Sequence, residues 1–332
     1  MLLLGVLCLC KVGINLCCWL AMDILRSKDF DEFVDSVRDV DSRMLLRNVQ
    51  RRIWSNAYLD LNGLHLQVGK LGSGNIAEGQ SFNSGYMIYL PLTDRTLYTA
   101  NACTLGIDSF AILEPGCEFS ICTEDEHDWC TAFVPTHRVA SFLSSSYIDQ
   151  KRCRVTPAMP EYAGRFNGLV HSALAAAAIH PELATSPAAA TLAVEILELS
   201  GAILSAPMPV EKRNVGGRPR ISRDELIRRA KQIIDSSSGG HHQTGDLATK
   251  LGVSERMLRN AFREYYGVGP YRYMQLRQLQ RIRSQLRLAE AEEVRVSDVL
   301  VQNGVWEFGR FASHYRRHFG ELPSDTLRTK AR

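Results

Sequence analysis

A chain of 332 residues that is 45% hydrophobic has the length for two domains of ordinary size and the apolar content for a core in each, which excludes a disordered or fibrous protein. Its formal charge of +3 conceals an asymmetry: Glu211 to Arg332 carries 24 Lys and Arg against 14 Asp and Glu, so this part is basic and the remainder acidic. A small basic domain is suited to neutralising phosphates, because counterion release supplies much of the non-specific affinity for nucleic acid. The nine cysteines show no paired spacing. Four of them (Cys8, Cys10, Cys17, Cys18) crowd the first turns of sequence, and the others read as reduced, buried side chains of a cytoplasmic protein.

Residues 1–21 are an apolar segment interrupted by Lys11 and Asn15. Three readings stand: a membrane anchor, which would make the chain a tethered sensor; translation beginning at Met22; or a buried helix. A charge at the position of Lys11 costs roughly 2.5–3.5 kcal/mol at a bilayer centre, no basic stretch precedes the segment, and no small-residue cleavage site follows it.

Residues 22–205 are expected to form a regulatory or dimerisation domain. From Trp54 to about Val139, apolar and polar residues alternate, as in LDLNGLHLQVGKLGSGN, and turn signals recur at Asn62-Gly63, Gly72-Ser73-Gly74, Asn83-Ser84-Gly85 and Pro115-Gly116. Closely spaced turns between half-buried runs predict an antiparallel sandwich or barrel. His65 and His127 are its only histidines before His137, with no HxH pair, and Cys117, Cys122, His127 and Cys130 stand at spacings that fit no common zinc pattern. No catalytic residue, metal site or cofactor is therefore expected. From Pro160 to Leu204 the period becomes helical, with Phe166, Leu169, Val170 and Leu174 on one helix and Leu192, Val194, Ile196, Leu197 and Leu199 on the next. Residues 206–220, with Pro207, Pro209, Gly216, Gly217 and Pro219, read as a linker whose GGRPR end is either a basic hinge or a minor-groove arm.

Residues 221–328 read as helical throughout and contain one plan twice. In DLATKLGVSERMLRNAFREYYG, Leu247, Ala248 and Leu251 mark one helix face, and Leu258, Ala261, Phe262 and Tyr265 another. Between them Gly252 permits the positive φ of a tight turn, Val253 plugs the angle, and Ser254 is a strong N-cap. This leaves Glu255, Arg256, Arg259, Asn260 and Arg263 on the outer face, where a recognition helix presents its groups to a major groove. About 52 residues later the plan recurs: Val299 and Leu300, the turn Asn303-Gly304-Val305, and an inner stripe of Phe308, Phe311, Ala312, Tyr315 and Phe319, with Arg310, His314, Arg316 and Arg317 outside. Gly267 with Pro270, and Gly320 with Pro323, close the two units. Between them Tyr271 to about Leu288 predicts a rigid spacer of about 27 Å, suited to holding two recognition helices about one DNA turn, roughly 34 Å, apart.

This tail resembles the AraC/XylS family of bacterial transcription regulators, most specifically in LGVSERMLRNAFREYYGVGPYRYMQLRQLQRIR and GVWEFGRFASHYRRHFGELPS. The resemblance implies DNA contacts by Ser254, Arg256, Arg259, Asn260 and Arg263 in the first unit and by Trp306, Glu307, Arg310 and Arg316 in the second. Asn260 stands where many members carry Arg, and Trp306-Glu307-Phe308 replaces a commonly small or polar trio. The second unit is therefore expected to lean on phosphate contacts, with Trp306 either touching a base or wedged in the core. The expected architecture is α+β: a β-rich, cupin-like domain with following helices, then an all-α domain of two helix-turn-helix units joined by a long helix. The expected function is sequence-specific regulation of transcription. Its partners are double-stranded promoter or operator DNA, with room for RNA polymerase, a small-molecule effector and a second copy of the chain.

Overall fold

The computed structural model describes residues 22–142, 151–206, 221–236 and 243–329. The apolar segment 1–21 and the linker from 207 to 220, with its GGRPR end, lie outside the described residues.

Among the described residues, the N-terminal part forms a ten-stranded antiparallel sheet that begins well before Trp54. Its strands are β1 (Met22–Ser27), β2 (Val40–Leu61), β3 (Leu64–Ser81), β4 (Gly85–Pro91), β5 (Tyr98–Ala100), β6 (Cys103–Leu105), β7 (Ala111–Leu113), β8 (Glu118–Thr123), β9 (His127–Pro135) and β10 (Cys153–Val155), with short helices α1 (Phe30–Ser36) after β1 and α2 (Thr136–Val139) after β9. Asn62 and Gly63, both at positive φ, make the two-residue turn between β2 and β3. The first half of β3 pairs with β9 and its second half with β8, so the long β2–β3 ribbon crosses from one layer to the other and the sheet curls into a near-barrel.

The expected turn at Gly72-Ser73-Gly74 is absent: all three residues lie inside β3 and are buried. These glycines serve close approach instead, since a Cβ at Gly72 would stand 2.1 Å from the Arg51 carbonyl oxygen and one at Gly74 2.0 Å from that of Glu124. Pro115-Gly116 is a turn as expected, Gly116 having φ +68°.

The barrel has two apolar surfaces. Outside, Leu59, Leu66, Ile88, Ala132 and their neighbours pack against α3 (Pro160–Ile179) and α4 (Pro187–Leu204) through Phe166, Val170, Leu174, Ile196 and Leu199. Val194, expected on that inner face, points outward and is exposed, because Ala193 and Ile196 take the buried stripe of α4. Inside, Met44, Ala77, Met87, Tyr89, Leu113, Phe119, Ile121 and Trp129 line a cavity of about 40 Å³, to which Gln67, Asn75, His127 and Thr131 add polar atoms. Among the cysteines expected to be buried, Cys117, Cys122 and Cys130 are so; Cys153 is half-buried, and Cys103, on the short edge strand β6, is exposed.

The C-terminal part consists of α5 (Arg223–Ser236), α6 (Thr244–Leu251), α7 (Glu255–Tyr266), α8 (Pro270–Leu288), α9 (Val296–Gln302), α10 (Phe308–Phe319) and α11 (Pro323–Thr329). Each half of it shares a core with the barrel. Leu45, Ile76 and Cys122 join the core of α5–α7 and the start of α8, while the core of α9–α11 and the end of α8 runs on into Phe30, Phe33 and Trp54.

Candidate nucleic-acid interface

In the first unit the chain leaves α6 through Gly252, at φ +65° and ψ +31°, and re-enters a helix at Ser254, whose Oγ accepts a hydrogen bond from the Met257 N–H at 3.2 Å. Leu258, Ala261, Phe262, Tyr265 and Tyr266 fill the inner face, and Ser254, Glu255, Arg256, Arg259, Asn260 and Arg263 are all exposed. Within that face Arg259 is ion-paired to Glu255 one helical turn earlier.

The second unit repeats the plan with a slip. Its turn glycine lies 52 residues after that of the first unit, but its closing Gly320 and Pro323 lie 53 after Gly267 and Pro270. One residue is inserted between turn and helix, and α10 begins at Phe308 rather than Glu307. Phe308 consequently leaves the inner stripe where periodicity placed it and is 41% exposed, the stripe being Phe311, Tyr315 and Phe319. Trp306 is 73% exposed and so is no core wedge; Val305 fills that place. Glu307 and Arg310 pair at 3.1 Å on the outer face, and Arg316 and Arg317 are exposed beside them.

The same register superposes Ser313 on Asn260 and Arg316 on Arg263. Ser313, an exposed outer-face residue, was not among those read from the sequence; counting back from Gly320 instead of forward from Gly304 reveals it. His314, expected outside, is half-buried and turned towards α8, its Nε2 lying 3.5 Å from Arg272 Nη1. Burial and the nearby Arg272, Arg317 and Arg310 hold its pKa below the ordinary histidine value.

The long helix α8 is not a free spacer. Tyr273, Arg277, Gln280, Arg283 and Arg287 turn towards the N-terminal part. The Tyr273 hydroxyl donates to Glu78 at 2.9 Å and the Arg277 Nη1 donates to that hydroxyl at 3.1 Å. Glu78, 1% exposed on β3, is also approached by Arg43 at 3.5 Å, Arg277 at 3.6 Å and Lys231 at 3.7 Å. Two turns on, Arg283 and Arg287 bind Asp31 at 2.6 and 2.8 Å, and Arg287 reaches Asp29 at 3.0 Å. Burial disfavours the charge of Asp31, but Arg283 and Arg287 outweigh it and hold its carboxyl below the usual range. Part of the acidic–basic asymmetry of the sequence is thus spent on joining the two parts of the molecule.

Two histidines, His127 buried and His318 half-buried, give this assembly a pH dependence. Burial pushes His127, which donates from Nδ1 to the Ser73 and Asp125 carbonyls at 3.0 Å, down to about 4. His318 falls to about 3 through burial and then through Arg272, His314, Arg52 and Arg283. For such groups the folded state binds fewer protons than the unfolded one, so stability is complete above the unfolded value and falls as pH drops below it. His65 opposes them: burial lowers its pKa, but its Asp39 partner at 2.6 Å raises it further, a contribution present at low pH and lost as pH rises. Between pH 7 and 5 the expected loss is about 2 kcal/mol for each of His127 and His318, less the gain at His65, read as a lower urea midpoint. Unchanged stability over that interval would contradict these assignments.

A family model described as "Helix-turn-helix domain" matches residues 247–329. The XylDLEGF operon transcriptional activator of Pseudomonas putida is 36% identical over 100 residues, 30% of this chain and 31% of that protein. The XylDLEGF operon transcriptional activator 2 of the same organism is 31% identical over 114 residues, 34% of this chain and 73% of that protein. Among solved structures, the AraC-like transcriptional activator CuxR aligns with a TM-score of 0.42 at 15% identity, covering 78% of this chain and 94% of that one. The match to the first of these activators thus spans about a third of its length. On the matched residues, and on the paired units that they contain, the chain belongs to the AraC/XylS family.

Proposed function

We propose that the chain is a sequence-specific DNA-binding regulator of transcription, whose N-terminal domain (22–205) answers to a small-molecule effector and whose 221–328 domain reads a promoter or operator. The observation that carries this reading is the pair of units, each with a left-handed turn glycine or its equivalent, a buried inner stripe and an exposed polar outer face on α7 or α10. In the first unit Ser254, Arg256, Arg259, Asn260 and Arg263 face a major groove; in the second, Trp306, Glu307, Arg310, Ser313, Arg316 and Arg317 do. Asn260 suits adenine and arginine suits guanine. Action on chromosomal DNA places the protein in the cytoplasm.

The effector reading rests on the barrel cavity. At about 40 Å³ it has room for about three waters, and the unbranched side chains of Met44 and Met87 in its wall can yield to something larger. Thr131 Oγ1, in the wall, is buried without a hydrogen-bond partner. No Lys or Arg among the described residues lines the cavity, which suits an uncharged ligand with a hydrogen-bonding group.

Genome-wide mapping of bound DNA tests the function directly. Enrichment at a small set of promoters sharing one bipartite motif is the expected result; uniform binding, or none, would sink the proposal.

A further inference from the structure

The carboxyl ends of α7 and α10 are both held by one strand. Arg47 on β2 donates from Nη1 to the Tyr266 carbonyl, the last residue of α7, at 3.2 Å and to the Thr123 carbonyl at 3.1 Å. Arg52, five residues along the same strand, donates from Nη1 to the Phe319 carbonyl, the last residue of α10, at 2.6 Å and from Nη2 to that of His318 at 3.3 Å. Each guanidinium lies against the glycine that closes its helix. A Cβ on Gly267 would meet Arg47 at 3.1 Å and one on Gly320 would meet Arg52 at 2.7 Å. The closing carbonyls of a helix lack intrahelical donors and carry the negative end of its dipole, so an arginine there is both a cap and a charge partner.

These arginines stand where β2 breaks step with β3, the register shifting between Leu46 and Val49 and again between Val49 and Trp54. The stretch is braced from behind by the β8–β9 turn: Gln50 donates to Asp125 at 2.5 Å and Arg51 pairs with Glu126 at 2.7 Å. A linking helix such as α8 fixes the length between two units but leaves them free to rock about its ends. Two caps on one braced strand remove that freedom.

We infer that Arg47 and Arg52 are positioning residues that set the separation of α7 and α10, so that the N-terminal domain dictates the spacing of the two DNA half-sites the chain accepts. The inference rests on the reading of α7 and α10 as recognition helices. Neither arginine touches DNA in this account, and both lie at the ends of the helices rather than on their outer faces. Met44 on the same strand and His127 just after the bracing turn line the barrel cavity, so whatever moves those walls bears on the same two caps.

Selection of bound sequences from random DNA by the full-length chain tests this. The wild type is expected to recover two half-sites at a single spacing, with a one-base-pair insertion weakening binding about tenfold, equivalent to about 1.4 kcal/mol. The Arg47→Ala/Arg52→Ala variant is expected to recover several spacings, the insertion penalty shrinking to less than about threefold. Arg52→Met, which keeps the stem of a partly exposed side chain but has no donor, carries the test if the double variant does not fold. Arg47→Lys and Arg52→Lys, which retain a donor, keep the single spacing. If Arg52→Met or a folded double variant keeps the wild-type spacing penalty, the inference is overturned, even if overall affinity falls. Failure of the wild type itself to select any DNA would remove the reading beneath the inference, and the inference with it.

Discussion

Replacing Glu78 by alanine is expected to cost about 3–5 kcal/mol of stability, the scale for removing one partner of a buried ion pair and leaving the other uncompensated. The carboxylate is 1% exposed and lies among Tyr273, Arg277, Lys231 and Arg43, of which Arg277 is 5% exposed. Without it the Tyr273 hydroxyl loses its acceptor and Arg277 keeps only the more exposed Asp235 as a carboxylate partner. Burial followed by the charge of Glu78 holds the Tyr273 pKa above its ordinary value, and that of Arg277 is raised by Tyr273, Glu78 and Asp235 against the cost of burial. Glu78→Gln retains an acceptor for Tyr273 and is expected to cost clearly less than Glu78→Ala. Equilibrium urea unfolding of the full chain measures both; equal and small losses, under about 1 kcal/mol, would show that water enters the interface and screens these groups.

The second large effect lies on the DNA face. Asn260→Ala and Arg256→Ala are expected to relax discrimination at particular base pairs, at about 1–3 kcal/mol for each lost bidentate contact. Arg316→Ala is expected to weaken binding to all sequences alike and to reduce the salt dependence by about one phosphate contact. The structure sharpens this contrast, because Arg263 and Arg316 occupy the same place in the two units whereas Arg256 superposes on Gly309 and Asn260 on Ser313. The second recognition helix therefore has a glycine and a serine where the first has Arg256 and Asn260, and Trp306 and Phe308 expose apolar surface at its start. Titration of the variants against matched and mismatched operators at two salt concentrations separates the two behaviours. Equal loss of discrimination from Asn260→Ala and Arg316→Ala would show that the units read DNA in the same way.

The helix-turn-helix units were legible because their determinants are local. Gly252, Ser254, Gly267 and Gly320 each fix a backbone conformation within a few residues, and the apolar stripe of α7 follows the helical period without interruption. Periodicity extended backwards from Phe311 puts Phe308 in the stripe because it runs through the inserted residue, and a glycine-to-glycine comparison at the far end of the helix corrects it. Gly72 and Gly74 resemble a turn, yet what they provide is room for the backbone at Arg51 and Glu124, a requirement set by strands distant in sequence. The arginines tell the same story. Arg47 and Arg52 sit in RNVQRRIW, where any one of them passes for a surface charge, and the helix ends they cap lie more than 200 residues downstream. Arg277 and Arg283, counted from sequence as part of a basic DNA-binding domain, are buried against Glu78, Asp29 and Asp31. Net charge revealed an asymmetry between the two parts of the chain but not that each part was in some measure the other's partner.

The central claim is that two recognition helices on one chain read two adjacent segments of a duplex. Hydroxyl-radical footprinting of the full-length chain on a selected operator tests it most directly. Two protected patches on one face of the DNA, centred about 10–10.5 base pairs apart, are the predicted result. A single patch, or two patches on opposite faces, would contradict it.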